Sequence, residues 1–142
     1  MEKVKTYQPK KSEVIRAWHL IDAKDQILGR VATKIANLLT GKTKATYSAH
    51  MDSGDYVVVI NAKEIKVTGN KENKKLYYRH SGYPGGFKEI KYSKLKKERP
   101  TRIVELAVKR MLADNRLRDK RLARLKIFAG ETHPYANKLE GK

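Results

Sequence analysis

The sequence predicts an α/β domain of three layers, with helices packed on a sheet. Three observations predict it. Strand-like and helix-like segments alternate along the chain. Asp55–Ala62 (DYVVVINA) is a short, continuous apolar run rich in β-branched residues, the pattern of a strand covered on both faces in a parallel sheet. From Leu28 onward the apolar residues recur at the 3, 4, 7 spacing of an amphipathic helix. With 142 residues the chain fits a single domain with a real core.

Taken in order, residues 1–15 are polar and interrupted by Pro9, which predicts an N-terminal arm. Ala17–Ala23 (AWHLIDA) reads as a first strand with Trp18, Leu20 and Ile21 available for burial, followed by a turn at Asp25-Gln26. The first helix uses Leu28, Val31, Ala32, Ile35, Leu38 and Leu39. It ends at Gly41, where a left-handed residue is wanted, and Lys42 and Lys44 follow by the negative end of its dipole. After the Asp55–Ala62 strand, Ile65–Val67 is a short strand or a turn, and Lys75–His80 (KLYYRH) has aromatic strand character. Ser81–Phe87 (SGYPGGF) holds three glycines and a proline in seven residues and reads as a loop.

Helices dominate from there. Ser93 is a candidate cap for a short turn, and Pro100 suits a helix start. Ile103, Val104, Ala107, Val108, Met111 and Leu112 make one face of that helix, and Arg102, Glu105, Lys109 and Arg110 the other. Asn115–Leu125 continues helical with Leu117, Leu122 and Leu125 inward, and Lys126–Phe128 reads as a last strand. The expected division is an arm over 1–15, one domain over 16–137 and a polar tail over 138–142.

Charge sets the function class. Lys and Arg number 33 against 15 Asp and Glu, a formal net charge of +18. Such a surplus repels itself in a compact fold and calls for a polyanion. Between Lys91 and Lys126 stand fourteen basic and four acidic residues, so more than half the surplus lies in a quarter of the chain. A basic run is often only a solvated helix face, but here the imbalance spans two helices and their linker. A membrane surface is the poorer partner, because a surface-seeking helix needs exposed apolar residues opposite its cations, and these are claimed by the core face. No run is long enough to span a bilayer, and residues 1–20 lack the apolar stretch of a secretory signal, so a cytosolic protein is expected.

Nucleic acid fits better. Arg116, Arg118, Arg121 and Arg124 lie about a helical turn apart or less and can follow a phosphate backbone, with Arg offering bidentate contacts. Tyr77, Tyr78, Arg79, His80, Tyr83 and Phe87 set aromatic rings beside basic groups, which suits unstacked bases and folded RNA. The blander reading of Tyr77 and Tyr78 is packing on the sheet.

Catalysis is poorly supported. Gly82–Gly86 lacks the Gly-Lys-Ser/Thr ending of a nucleotide loop. His50, Asp52, Ser53 and Asp55 cluster without a nucleophile elbow or a separate base. There is no cysteine, and His19, His50, His80 and His133 share no metal-ligand spacing, so neither cofactor nor metal is expected.

The segments Trp18–Ala36 (with WHLIDA and LGRVATKIA), His50–Ala62 (HMDSGDYVVVINA), Val67–Lys71 (VTGNK), Tyr77–Phe87 (YYRHSGYPGGF), Ala107–Leu117 (with AVKRML and NRL) and Leu125–Pro134 (LKIFAGETHP) resemble the bacterial-type large-subunit ribosomal protein L13 family, uL13, in unbroken order. The resemblance implies a three-layer α/β/α fold with a mostly parallel four-stranded sheet, followed by basic C-terminal helices. It implies binding to large-subunit (23S) rRNA early in assembly, neighbouring large-subunit proteins as partners, a cytoplasmic location on the ribosome, and no enzymatic activity, cofactor, membrane or small-molecule substrate. A second role as an mRNA-binding translational regulator is the same-class alternative, and a nucleotide-using enzyme acting on RNA the rival of another class. Ala113, the pair Arg118-Asp119 and Tyr135 depart from residues common in the family. The candidate rRNA contacts are Arg30, Lys42, Lys44 and His50; Arg79, His80, Tyr83, Gly85, Gly86 and Lys88 around the glycine-rich loop; and Lys109, Arg110, Arg116, Arg118, Arg121, Arg124, Lys126 and His133.

Overall fold

A computed structural model describes residues 8–139. The first seven residues of the expected arm and the last three of the expected tail lie outside the described residues. Within the arm, Lys11–Glu13 makes a single 3-10 turn.

The element order is β1 (Trp18–Asp22), α1 (Leu28–Thr40), β2 (Tyr56–Ile60), α2 (Lys71–Lys74), β3 (Leu76–His80), β4 (Phe87–Lys91), α3 (Tyr92–Glu98), α4 (Pro100–Met111), α5 (Leu117–Ala123), β5 (Leu125–Ile127) and α6 (Ala136–Leu139). Strands β1, β2 and β5 form one parallel sheet with β2 in the middle. Its strand and helix periods are those of the sequence. Gly41 ends α1 at φ 79° and its amide reaches the Asn37 and Leu38 carbonyls, a left-handed position that a glycine takes without steric cost.

Among the described residues the parallel sheet has three strands, not the four expected. Ile65–Val67 contributes only an isolated parallel bridge between Ile27 and Lys66. Strand β3 pairs instead with β4 in a separate antiparallel hairpin, Tyr78 opposite Glu89 and His80 opposite Phe87. The reason is local. Ser81–Gly86 turns the chain back on itself, with the Ser81 amide bonded to the Gly86 carbonyl (3.1 Å) and the Gly86 amide to the Tyr83 carbonyl (2.9 Å). Phe87, expected in the loop, is therefore the first residue of β4. Every residue of β4 is exposed, so no burial pattern marks it in the sequence.

One sheet face carries Ile21, Val57, Val59 and Leu125 into a core shared with Leu28, Val31, Ile35 and Leu39 of α1 and Ile103, Val104 and Val108 of α4. Burial of side chains of this size contributes about 1.5–3 kcal/mol each. Helices α1 and α4 pack on each other across that face. On the other face Trp18 stacks on Tyr56 (centroids 4.4 Å apart), and Tyr135, just before α6, stacks on Trp18 (5.3 Å). Leu20 remains 47% exposed and Met111 45% exposed, although the apolar pattern places both inside. Helix α3 begins at Tyr92 with Lys91 before it, so Ser93 sits within the first turn and caps nothing. Pro100 opens α4 as expected. Helix α5 is shorter than the predicted Asn115–Leu125, because the Asn115 side chain accepts the Leu117 amide (3.1 Å) and turns the chain before it.

Candidate nucleic-acid interface

The candidate cations divide by what they touch. Lys44, Arg121 and Arg124 are tied into the fold. Lys44 Nζ donates to the Ile15 carbonyl (2.7 Å), the Ser53 carbonyl (3.0 Å) and Asp55 Oδ1 (2.5 Å). Arg124 is buried. Its Nη2 donates to Asp52 Oδ1 at 2.5 Å and to the Leu39 carbonyl at 3.1 Å, while Nη1 meets Asp52 Oδ2. Arg121, 3% exposed, points its Nε toward the same carboxylate at 3.8 Å. Arg16 joins them, donating to the Asp52 and Gly54 carbonyls. The helical spacing that suggested a phosphate track thus places two of its four arginines inward, where a carboxylate 72 residues away in sequence receives one of them.

Asp55 is the second internal anchor. Burial pushes its carboxyl up, but the Lys44 ammonium, the Ala17 amide and His19 (Nε2 to Oδ2, 3.0 Å) outweigh burial and hold its pKa below the usual aspartate value. Asp52 and Asp55, the two carboxylates of the His50–Asp55 cluster, are thus both engaged in holding the fold together.

Eight other candidates, Arg30, Lys42, Arg79, Lys88, Lys109, Arg110, Arg116 and Lys126, form no ion pair with a carboxylate among the described residues. Arg118 is intermediate, half-buried and paired with exposed Asp114 at 2.6 Å. The three candidate histidines are held locally: His50 Nδ1 against Ser48 Oγ (2.9 Å), His80 Nδ1 accepting the Gly82 amide (2.9 Å) and His133 Nδ1 accepting the Tyr135 amide (3.2 Å).

Two groupings emerge at the surface. The β3–β4 hairpin sets Arg79 across from Lys88 and leaves Tyr83 76% exposed at its tip, beside exposed Gly85 and half-buried Gly86. A Cβ on Gly86 would come within 2.0 Å of Ser81 Oγ, so the turn needs glycine there. Tyr78 and Phe87, on the same hairpin face, stack at 5.5 Å while both remain more than half exposed. The second grouping is a cleft between α1, α2, β3 and the end of α4, which brings Arg30 and Arg110 together with Lys71 and Lys75. Lys109, Arg110 and Arg118 border an adjoining hollow. Lys71 and Lys75 are not among the candidates that the sequence singles out, although Lys75 opens the KLYYRH segment and Lys71 stands four residues before it.

Over residues 16–134 the chain matches the family described as Ribosomal protein L13. The chain belongs to the ribosomal protein L13 family. The large ribosomal subunit protein uL13 of Salinispora arenicola is 52% identical over 132 residues, spanning 93% of this chain and 90% of that protein. The protein of the same name from Chloroflexus aggregans is 53% identical over 133 residues, 94% of this chain and 93% of its own length. That from Roseiflexus castenholzii is also 53% identical, over 94% of this chain and 91% of its own. The L13 match spans the whole parallel sheet, the hairpin and the Asp52 anchor. The L13 family is one of ribosomal proteins, and among the described residues no helix is long and apolar enough to cross a membrane.

Proposed function

We propose that this chain is a structural constituent of the large ribosomal subunit, binding 23S rRNA and stabilising its fold during early assembly in the cytoplasm, beside neighbouring large-subunit proteins. The observation that carries the reading is the set of exposed cations on the hairpin and around the end of α4 that have no carboxylate partner among the described residues. Cations with no carboxylate partner among the described residues can replace counterions on phosphates, and the release of those counterions drives association. The half-buried Asp52 and buried Asp55 anchors hold the elements that present them, so the contact surface is built before RNA arrives. Exposed Tyr83 and the Tyr78–Phe87 pair add planar surfaces that suit unstacked bases.

The deciding experiment is sucrose-gradient fractionation of a lysate containing the tagged chain, at moderate and then high salt. Co-migration with the large subunit that survives high salt is expected. A chain that stays at the top of the gradient overturns the ribosomal reading, and if it then co-purifies with its own transcript it acts as a free mRNA-binding regulator.

A further inference from the structure

The cleft beside α4 has a construction that a general phosphate-binding surface does not need. Arg30, Lys71, Lys75 and Arg110 line it, and among the described residues no acidic side chain does. Its apolar lining includes Leu28 and Tyr77, both buried, and Met111, which is 45% exposed and whose Sδ accepts from Thr33 Oγ1 (3.4 Å). The space is about 420 Å³, within the range of sites that enclose a small ligand. Lys75 Nζ and the Arg110 guanidinium both stand over the Tyr77 ring, at 5.3 Å and 5.9 Å from its centroid. These cations crowd one another. Burial, then the charges of Arg110 and Lys71, lower the Lys75 pKa, which an anion seated among them would reverse.

Four cations on a rim around an aromatic and aliphatic lining match one ligand chemistry: a phosphate ester joined to a flat, weakly polar ring. We infer that the cleft receives one unpaired nucleotide of the bound RNA, with its phosphate against the Arg30–Lys71–Lys75–Arg110 rim and its base against the exposed Met111 side chain. A double helix is too wide to enter, so the nucleotide comes from a loop or bulge, where bases can be splayed out. The inference rests on the RNA-binding reading above and assigns one site within it.

The test uses the full chain, a transcript of the large-subunit rRNA, and adenosine 5′-monophosphate as a free-nucleotide probe. Met111→Trp fills the cleft while keeping every cation, and Lys75→Gln with Arg110→Gln removes two cations while keeping the space. Both variants are first checked for unchanged thermal unfolding, and ultraviolet crosslinking of the wild-type complex is read by peptide. The expected results are a nucleotide crosslinked to the Tyr77 or Met111 peptide, at least a tenfold loss of transcript affinity in each variant, and weak or no binding of the free monophosphate. Wild-type transcript binding that Met111→Trp leaves unchanged, without a cleft crosslink, overturns the inference while leaving the RNA-binding reading intact. Tight binding of the monophosphate, lost in Met111→Trp with transcript affinity unchanged, also overturns it and makes the cleft a site for a free nucleotide. Failure of the wild-type chain to bind the transcript at all overturns the underlying reading.

Discussion

Arg124 and Asp52 form a two-pronged ion pair between the end of α5 and the segment leading into β2, Nη2 to Oδ1 at 2.5 Å and Nη1 to Oδ2. Both side chains are largely withdrawn from water, at 8% and 14% exposure. The same arginine also holds the Leu39 carbonyl at the end of α1 (3.1 Å), so one guanidinium fastens α1, the approach to β2 and α5.

Asp52→Asn leaves that guanidinium buried without its counter-charge. Removing one partner of a buried pair costs about 3–5 kcal/mol, and urea unfolding will show a fall of that order. Arg124→Ala is expected to lose RNA binding only in proportion to its loss of fold. A well-folded Arg124→Ala with weakened RNA affinity contradicts the structural role.

Asp55 makes stability depend on acid. Its pKa is lowered in the folded state, so the native protein binds fewer protons than the unfolded chain near the ordinary aspartate value of about 3.9. The contribution is complete above that value and is lost as pH falls through the lower native one. The stability gap between wild type and Asp55→Asn, measured by denaturant unfolding, is expected to hold from pH 7 down to about 4 and shrink below it. A gap independent of pH through that window refutes the assignment.

Gly54 stands where backbone passes against backbone. A Cβ there would lie 1.7 Å from the Leu39 carbonyl oxygen, whereas one on Gly130 would meet nothing within 4 Å. Gly54→Ala is expected to lower stability by about 3 kcal/mol or more, as overpacking against a rigid neighbour does, with Gly130→Ala close to neutral. Thermal unfolding of the two variants side by side provides the check.

Arg79 and Lys88 face each other across the hairpin, and neither pairs with a carboxylate among the described residues. Replacing both by Ala should leave folding intact and weaken rRNA binding. The log–log salt slope should fall in magnitude by about 0.7–0.9 for each phosphate that the variant no longer neutralises. A salt titration with an unchanged slope removes the hairpin cations from the interface.

Much of this fold was legible in the sequence because apolar periodicity reports burial. The Leu28–Leu39 pattern, Gly41 as its stop, the β2 run and Pro100 at the start of α4 all appear where the residues put them. Strand β4 was not legible, since FKEIK is exposed throughout and its pairing is dictated by the turn before it. Site residues were harder for a related reason. A helical spacing of arginines states that they share a face, but not whether that face meets water or a distant carboxylate. Arg121 and Arg124 met Asp52, while Arg116, close in sequence, stayed outside. Lys71 and Lys75 join Arg30 and Arg110 only through tertiary packing, of α1 on α4 and of both α2 and α4 on α3, a relationship that no local pattern encodes.

The position of β2 between its two neighbours governs when this protein can become whole. One flank of β2 is supplied by β1, early in the chain, but the other is β5, which begins at Leu125, and the Trp18 ring is covered by Tyr135 later still. Contacts so distant in sequence form late and slowly. A nascent chain halted before Leu125 therefore carries most of its cations into the cell with the Val57–Val59 edge still open. Ribosome-stalled chains of increasing length are expected to remain protease-sensitive around β1 and β2 until the last residues emerge, and then to become resistant in a single step.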